Sequence, residues 1–242
     1  MNSRTPDVPA IAAAAGYDAI YVDLEHTSTS LETAGMLCAS ALGAGIAGLV
    51  RVPSQEPSLI ARVLDNGATG IIVPHVNSAA EAQAIVDASR FPPVGHRSIS
   101  GPNALSGYGP MSPTEITAML ESRTVVAAMI ETPEAVEQVD AIAAVPGLDM
   151  LLIGPSDLTA EMGIHGDYEN DDFHDAVQSV SAACRTHGVA LGVAGIKSLD
   201  LLERFVDLGL RFISAGTDVG MMTEAATARA RALRGLQGPA SS

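Results

Sequence analysis

Seven short apolar runs, separated by segments of helical periodicity, leave this chain few architectures. The runs are AIYVDL (19–24), AGLVRV (47–52), GIIVPHV (70–76), VVAAMI (125–130), DMLLIG (149–154), VALGVAG (189–195) and RFISAG (211–216). Between them lie segments such as LETAGMLCASALGA (31–44), AAEAQAIVDASR (79–90) and DFHDAVQSVSAACRTHG (172–188), whose apolar residues recur at helical spacing. Strands that alternate with helices of this length build βαβ units and a parallel sheet. The expected fold is therefore α/β, a (β/α)8 TIM barrel, in one domain spanning 1–242. A closed barrel needs eight strands, and the shortage sits at the start. Met1–Thr5 is polar, and PDVPAIAAAAG (6–16) already reads as a helix. The first strand is expected to be short or missing, either a stub or a strand upstream of where this chain was begun. The longest irregular stretch, 91–113, reads as a functional loop over one end of the sheet that helps to set substrate length.

Composition removes several functions. Apolar residues make up 47% of the 242 and charged residues 17%, with a formal net charge of −15. Such an excess of acid disfavours nucleic acid and anionic membrane as partners. No apolar stretch approaches the length of a membrane span, and no leader is apparent. Cys38 and Cys184 lie apart in helical segments, as reduced thiols of a cytoplasmic protein would. GAGIAG (43–48) matches the dinucleotide fingerprint, but a helix enters it and a strand leaves, the reverse of what pyrophosphate binding requires. Lys197 is the chain's sole lysine and lies beyond a strand rather than on one, a poor candidate for an imine.

Chemistry in parallel barrels gathers at the C-terminal ends of strands. Those positions here hold Asp23, Glu25 and His26, then Arg51, His75, Glu131, and the turn Gly154-Pro155-Ser156-Asp157. Glu131 and Asp157 close consecutive strands, which run ~5 Å apart, so both carboxylates can reach one point. Two carboxylates without a third protein ligand suit a hard divalent ion completed by water or substrate oxygens; for Asp157 the alternative is a helix N-cap. Main-chain N–H groups of the GPSD turn can receive an anion. Arg51 suits a substrate oxyanion or a structural ion pair, and His26 stands beside two acids able to orient it. His75 reads as a supporting residue behind these.

GYDAIYVDLEHTSTS (16–30), LVRVPS (49–54), DNGATGIIVPHV (65–76), MIETPEAV (129–136) and LLIGPSDLTAEMG (151–163) resemble the HpcH/HpaI aldolases, class II metal-dependent enzymes of the phosphoenolpyruvate/pyruvate barrel superfamily. The likeness runs from about residue 6 to 234. It implies reversible cleavage of a 4-hydroxy-2-oxo acid to pyruvate and an aldehyde, with oxaloacetate decarboxylation as a side reaction. It makes Glu131 and Asp157 ligands of Mg²⁺, Mn²⁺ or Co²⁺, places Arg51 on the keto oxygen, and pairs His26 with Asp23 as acid and base. Gly154, Pro155 and Ser156 would hold the pyruvate carboxylate. It further implies a homo-oligomer, dimer to hexamer, that exchanges a last helix around 221–236. Met129 stands where the family commonly carries Gln. Three other readings stay open: a CoA-ester lyase of the citrate or malyl type, a phosphosugar enzyme using VAG (193–195) and SAGTD (214–218), and a non-catalytic ligand-binding or assembly subunit.

Overall fold

A computed structural model describes residues 1–236, so the last six residues of the expected 1–242 domain lie outside it. Among the described residues seven strands, β1 (Ala19–Asp23), β2 (Ala47–Arg51), β3 (Gly70–Val73), β4 (Val125–Ile130), β5 (Met150–Ile153), β6 (Ala190–Ala194) and β7 (Leu210–Ser214), form one parallel sheet in sequential order. The helices are α1 (Asp7–Ala14), α2 (Leu31–Gly43), α3 (Pro57–Asp65), α4 (Ala79–Ser89), α5 (Pro113–Arg123), α6 (Pro133–Glu137), α7 (Val139–Ala143), α8 (Pro155–Glu161), α9 (Asp171–His187), α10 (Leu199–Asp207) and α11 (Asp218–Arg234). Many start where the local sequence supplies a cap. The side chains of Ser30, Ser78, Ser112, Thr132, Ser198 and Thr217 each accept an N–H from the first helical turn.

Strand residues alternate between two apolar layers. In β4, Val126, Ala128 and Ile130 pack outward with the helices, while Ala127 and Met129 point inward with Leu49, Ile72, Met150 and Leu152. The inward series continues past this layer. Two residues beyond Tyr21, Leu49 and Met129 come Asp23, Arg51 and Glu131, so the interior changes from apolar to ionic at the C-terminal rim. Gly70 is required for the sheet to close up, since a Cβ there would lie 2.5 Å from the Val125 carbonyl oxygen.

The sheet curls without closing. Among the described residues β1 pairs only with β2 and β7 only with β6, as the shortage of a first strand predicts. Residues 1–3 cross the seam at the rim: the Met1 nitrogen donates to the Tyr21 carbonyl at 2.7 Å, and the N–H groups of Asn2 and Ser3 donate to the Asp218 carboxylate at 2.7 and 2.8 Å. The GAGIAG glycines end α2, with Gly45 at φ +79°, and lead into β2.

Residues 91–113 are anchored at the end of the sheet opposite the rim. Arg97 and Ser100 bind Asp65, at the C-terminus of α3, and Arg123 donates to the Leu105 carbonyl. The reason is topological: α4 carries the chain back to the N-terminal ends of the strands before the loop begins. Arg90 anchors that end, donating to the Gly147 and Thr124 carbonyls and pairing with Glu121 at 3.0 Å and with Asp149. Arg90→Ala is expected to lower unfolding free energy by about 3 kcal/mol in urea denaturation, the low end for a broken buried ion pair because both carboxylates are partly exposed. A loss under about 1 kcal/mol would show that solvent replaces the guanidinium.

Candidate active site

The ionic rim borders a cavity of about 570 Å³ whose walls include His26, Arg51, Met129, Glu131, the 154–157 turn and, across the seam, Ser214. Of the sequence-predicted site residues, His26, Arg51, Glu131, Gly154, Pro155, Ser156 and Asp157 line this cavity, and Asp23 stands on the same rim beside Arg51 without being part of the cavity wall.

β1 and β2 pair with Asp23 opposite Arg51. The Asp23 carboxylate accepts Arg51 Nε at 3.0 Å and Nη2 at 2.7 Å, a bidentate clasp, and Arg51 Nη1 lies 3.0 Å from Glu25. Burial alone would push the Asp23 carboxyl up, but the Arg51 contact and the N–H groups of His26 and Glu25 hold it below the usual carboxylate range. Asp23 therefore grips the His26 main chain, with 3.3 Å from N–H to Oδ1. Glu25 is the acid beside the imidazole, 3.6 Å from Nε2. The His26 side chain is 64% exposed, open to any molecule entering the cavity.

Glu131 extends β4 by one residue and is 1% exposed. Its Oε2 accepts the His75 N–H at 2.9 Å. Its Oε1 presses on Gly154, where a Cβ would come within 2.4 Å, so any other residue at 154 would evict the carboxylate. Burial pushes the Glu131 carboxyl up. The His75 N–H and ring pull it back, and the charges of Asp157 and Glu25 add to the rise.

Asp157 occupies the third position of α8, exposed, with Gly154 in the cap position. The N-cap alternative for Asp157 thus does not apply. The Gly154 N–H is taken by the Ile130 carbonyl at 3.1 Å, and Pro155 has none. The turn accordingly offers the N–H groups of Ser156 and Asp157 and the Ser156 hydroxyl, which lies 3.3 Å from the Tyr168 hydroxyl. Lys197 is exposed on the segment between β6 and α10, away from the cavity wall.

Glu25 and His75 do not line the cavity, but they connect the residues that do. His75 Nε2 lies 3.4 Å from Glu25 and Nδ1 3.5 Å from Glu131, so its ring spans the two carboxylates. The spacing D-x-E-H placed Glu25 at the rim; only the left-handed turn at His75 brings the imidazole to it.

A divalent cation fits this donor set. Glu131 is buried with a single N–H donor from the main chain, and Arg51 is already committed to Asp23 and Glu25. Two carboxylates are hard oxygen donors suited to Mg²⁺-like ions. Among the described residues no group of three or more His, Cys, Asp or Glu is arranged to hold a metal, which leaves the remaining positions to water or substrate oxygens.

A family model described as HpcH/HpaI aldolase/citrate lyase matches residues 1–225. Over 237 residues the chain is 40% identical to a 4-hydroxy-4-methyl-2-oxoglutarate aldolase of Hapsidospora irregularis, covering 96% of this chain and 87% of that protein. It is 39% identical over 219 residues to a 4-hydroxy-2-oxovalerate aldolase of Novosphingobium aromaticivorans, covering 88% and 80% respectively. The crystal structure of an HpcH/HpaI aldolase from Desulfitobacterium hafniense DCB-2 superposes with a TM-score of 0.90 at 28% identity, over 100% of this chain and 93% of that one.

The electrostatics of Glu131 make a stability prediction for the metal-free protein. An acid whose folded pKa is raised binds more protons folded than unfolded, so stability falls as pH rises from the unfolded carboxylate value of about 4.3 through the raised one. Metal-free Glu131→Gln is expected to be more stable than the parent at pH 7, with the gap closing as the pH falls toward 4. Thermal unfolding across that range, with chelator present, measures it.

Proposed function

This chain belongs to the HpcH/HpaI aldolase/citrate lyase family and is a class II pyruvate aldolase, and we propose that it cleaves a 4-hydroxy-2-oxo acid to pyruvate and a carbonyl partner at the Glu131–Asp157 rim. The observation that carries this reading is the buried Glu131 carboxylate, held by one N–H and packed on Gly154, with Asp157 adding a second negative charge nearby. Glu131 and Asp157 would hold Mg²⁺, Mn²⁺ or Co²⁺. Such an ion, when bound, supplies positive charge for the negative charge that develops on the substrate's 2-keto oxygen.

The chain's own groups do the rest. Arg51, clasped by Asp23 and Glu25, is a donor fixed in advance and aimed at the keto oxygen, so no reorganisation is needed as charge builds there. The Ser156 and Asp157 N–H groups and the Ser156 hydroxyl receive the carboxylate of the pyruvyl half. His26, exposed on the cavity wall with Glu25 beside its ring, takes the proton from the 4-hydroxyl. As that oxygen forms a carbonyl, the C3–C4 bond breaks and its electron pair passes into the pyruvate enolate. The proton held by His26 then returns to C3, directly or through water, to give pyruvate, and the reverse sequence forms the aldol. The Met129 side chain, buried beneath Glu131, contributes shape and no hydrogen bond. Oxaloacetate decarboxylation is part of the same proposal, because it ends in the same enolate.

Pyruvate alone tests the site. With Mn²⁺ in D₂O its methyl protons should exchange, followed by NMR, and Glu131→Ala should reduce the rate at least a hundredfold. Exchange at the parental rate in that variant would remove Glu131 from the mechanism. His26→Ala is expected to slow cleavage of the 4-hydroxy-2-oxo acid by about 10²–10⁴.

We also propose a homo-oligomer in which α11 is covered by a second copy. No residue of α11 is buried, and Val219, Met222 and Leu233 along it are exposed, an arrangement that monomers rarely retain. Light scattering should give a multiple of the 24.7 kDa chain mass. A monomer at micromolar concentration would refute this part and leave the chemistry intact.

A further inference from the structure

β3 ends at Val73, and the next two residues, Pro74 and His75, turn across the end of β4. His75 adopts φ +54°, and Tyr108 is the other non-glycine residue with positive φ among those described. Tyr108 sits in the exposed 91–113 loop after Gly107. His75 sits beside Glu131, which lines the cavity, and its peptide groups are engaged on both sides. Its N–H donates to Glu131 Oε2 at 2.9 Å, its carbonyl accepts Gln55 Nε2 at 3.0 Å, and the following N–H, of Val76, reaches the Met129 carbonyl at 3.3 Å. A return to negative φ would swing one flanking peptide away, so the contacts to Glu131 and to Met129 survive together only in the left-handed form. Strained backbone of this kind persists where the surroundings over-determine it, and it concentrates at functional sites.

We propose that His75 is a positioning residue that fixes the Glu131 carboxylate for its cation through this left-handed main-chain turn. The inference rests on the reading of Glu131 as a metal ligand and adds to it the element that aims the ligand. With Oε2 tied to the turn and Oε1 pressed on Gly154, the carboxylate has a single orientation before any ion arrives. Supporting partners of this type commonly change metal affinity by 10–100-fold.

The test separates main chain from side chain. Gly adopts φ > 0 freely and Asn readily, whereas a β-branched residue resists it. His75→Gly, His75→Asn and His75→Ile are compared by Mn²⁺ binding, with free Mn²⁺ read by electron paramagnetic resonance and folding checked by circular dichroism. His75→Gly and His75→Asn should bind within about threefold of the parent, since the N–H is retained, and His75→Ile should bind about tenfold or more weakly. If His75→Ile does not fold, His75→Ala replaces it and should bind more weakly than His75→Gly by about threefold. Equal affinity across the series, or a loss in His75→Gly matching that in His75→Ile, would overturn the proposal. Glu131→Gln is the control. If it still binds Mn²⁺ like the parent, the ligand reading fails and takes this inference with it. If it loses Mn²⁺ while His75→Ile keeps it, only the positioning role is lost.

Discussion

A carboxylate sealed from water at the end of β4 sets the terms for everything around it. Glu131 has neither an arginine nor a lysine as partner, and burial makes its charge costly. The fold tolerates this because three local features converge on it: the glycine at 154, the turned peptide at 75, and the inward parity of β4 that leaves position 131 no other direction. Filling 154, straightening 75 or shifting the strand by one residue would each remove the carboxylate from the cavity.

Charge across the rim follows a division of labour. Arg51 is enclosed by Asp23 and Glu25, a group with one net negative charge, and Glu131 and Asp157 add two more. A 2-oxo acid is itself an anion. In a chain of net charge −15, such a substrate meets a repulsive field unless a cation stands between the acids and the substrate. In the proposed mechanism that cation would both balance the acids and receive the substrate, joining affinity to chemistry in one place.

The strand ends were legible in the sequence because an apolar run that stops on a charged residue marks both the strand's limit and its functional tip. Asp23, Arg51, Glu131 and the GPSD turn stand at strand ends readable that way, and the shortage of a first strand shows as the lack of an apolar run before Pro6. Glu25 and His75 are visible at strand ends, but their contact depends on the left-handed backbone at His75, which the residue type alone does not announce. The 91–113 loop stands out by its length, which does not say which end of the sheet it occupies; its place after α4 does, since a segment between a helix and the following strand belongs at the strands' N-terminal ends.

Both cysteines lie inside the helix-facing core, and burial pushes their thiols up to about 12 for Cys38 and about 11 for Cys184. At neutral pH roughly one thiol in ten thousand, or fewer, is in the reactive anionic form, and neither is open to a reagent. Alkylating agents and peroxide should therefore pass over the native molecule and react when the chain opens. The pair serves as an internal clock, in which the rate of thiol modification counts excursions out of the folded state.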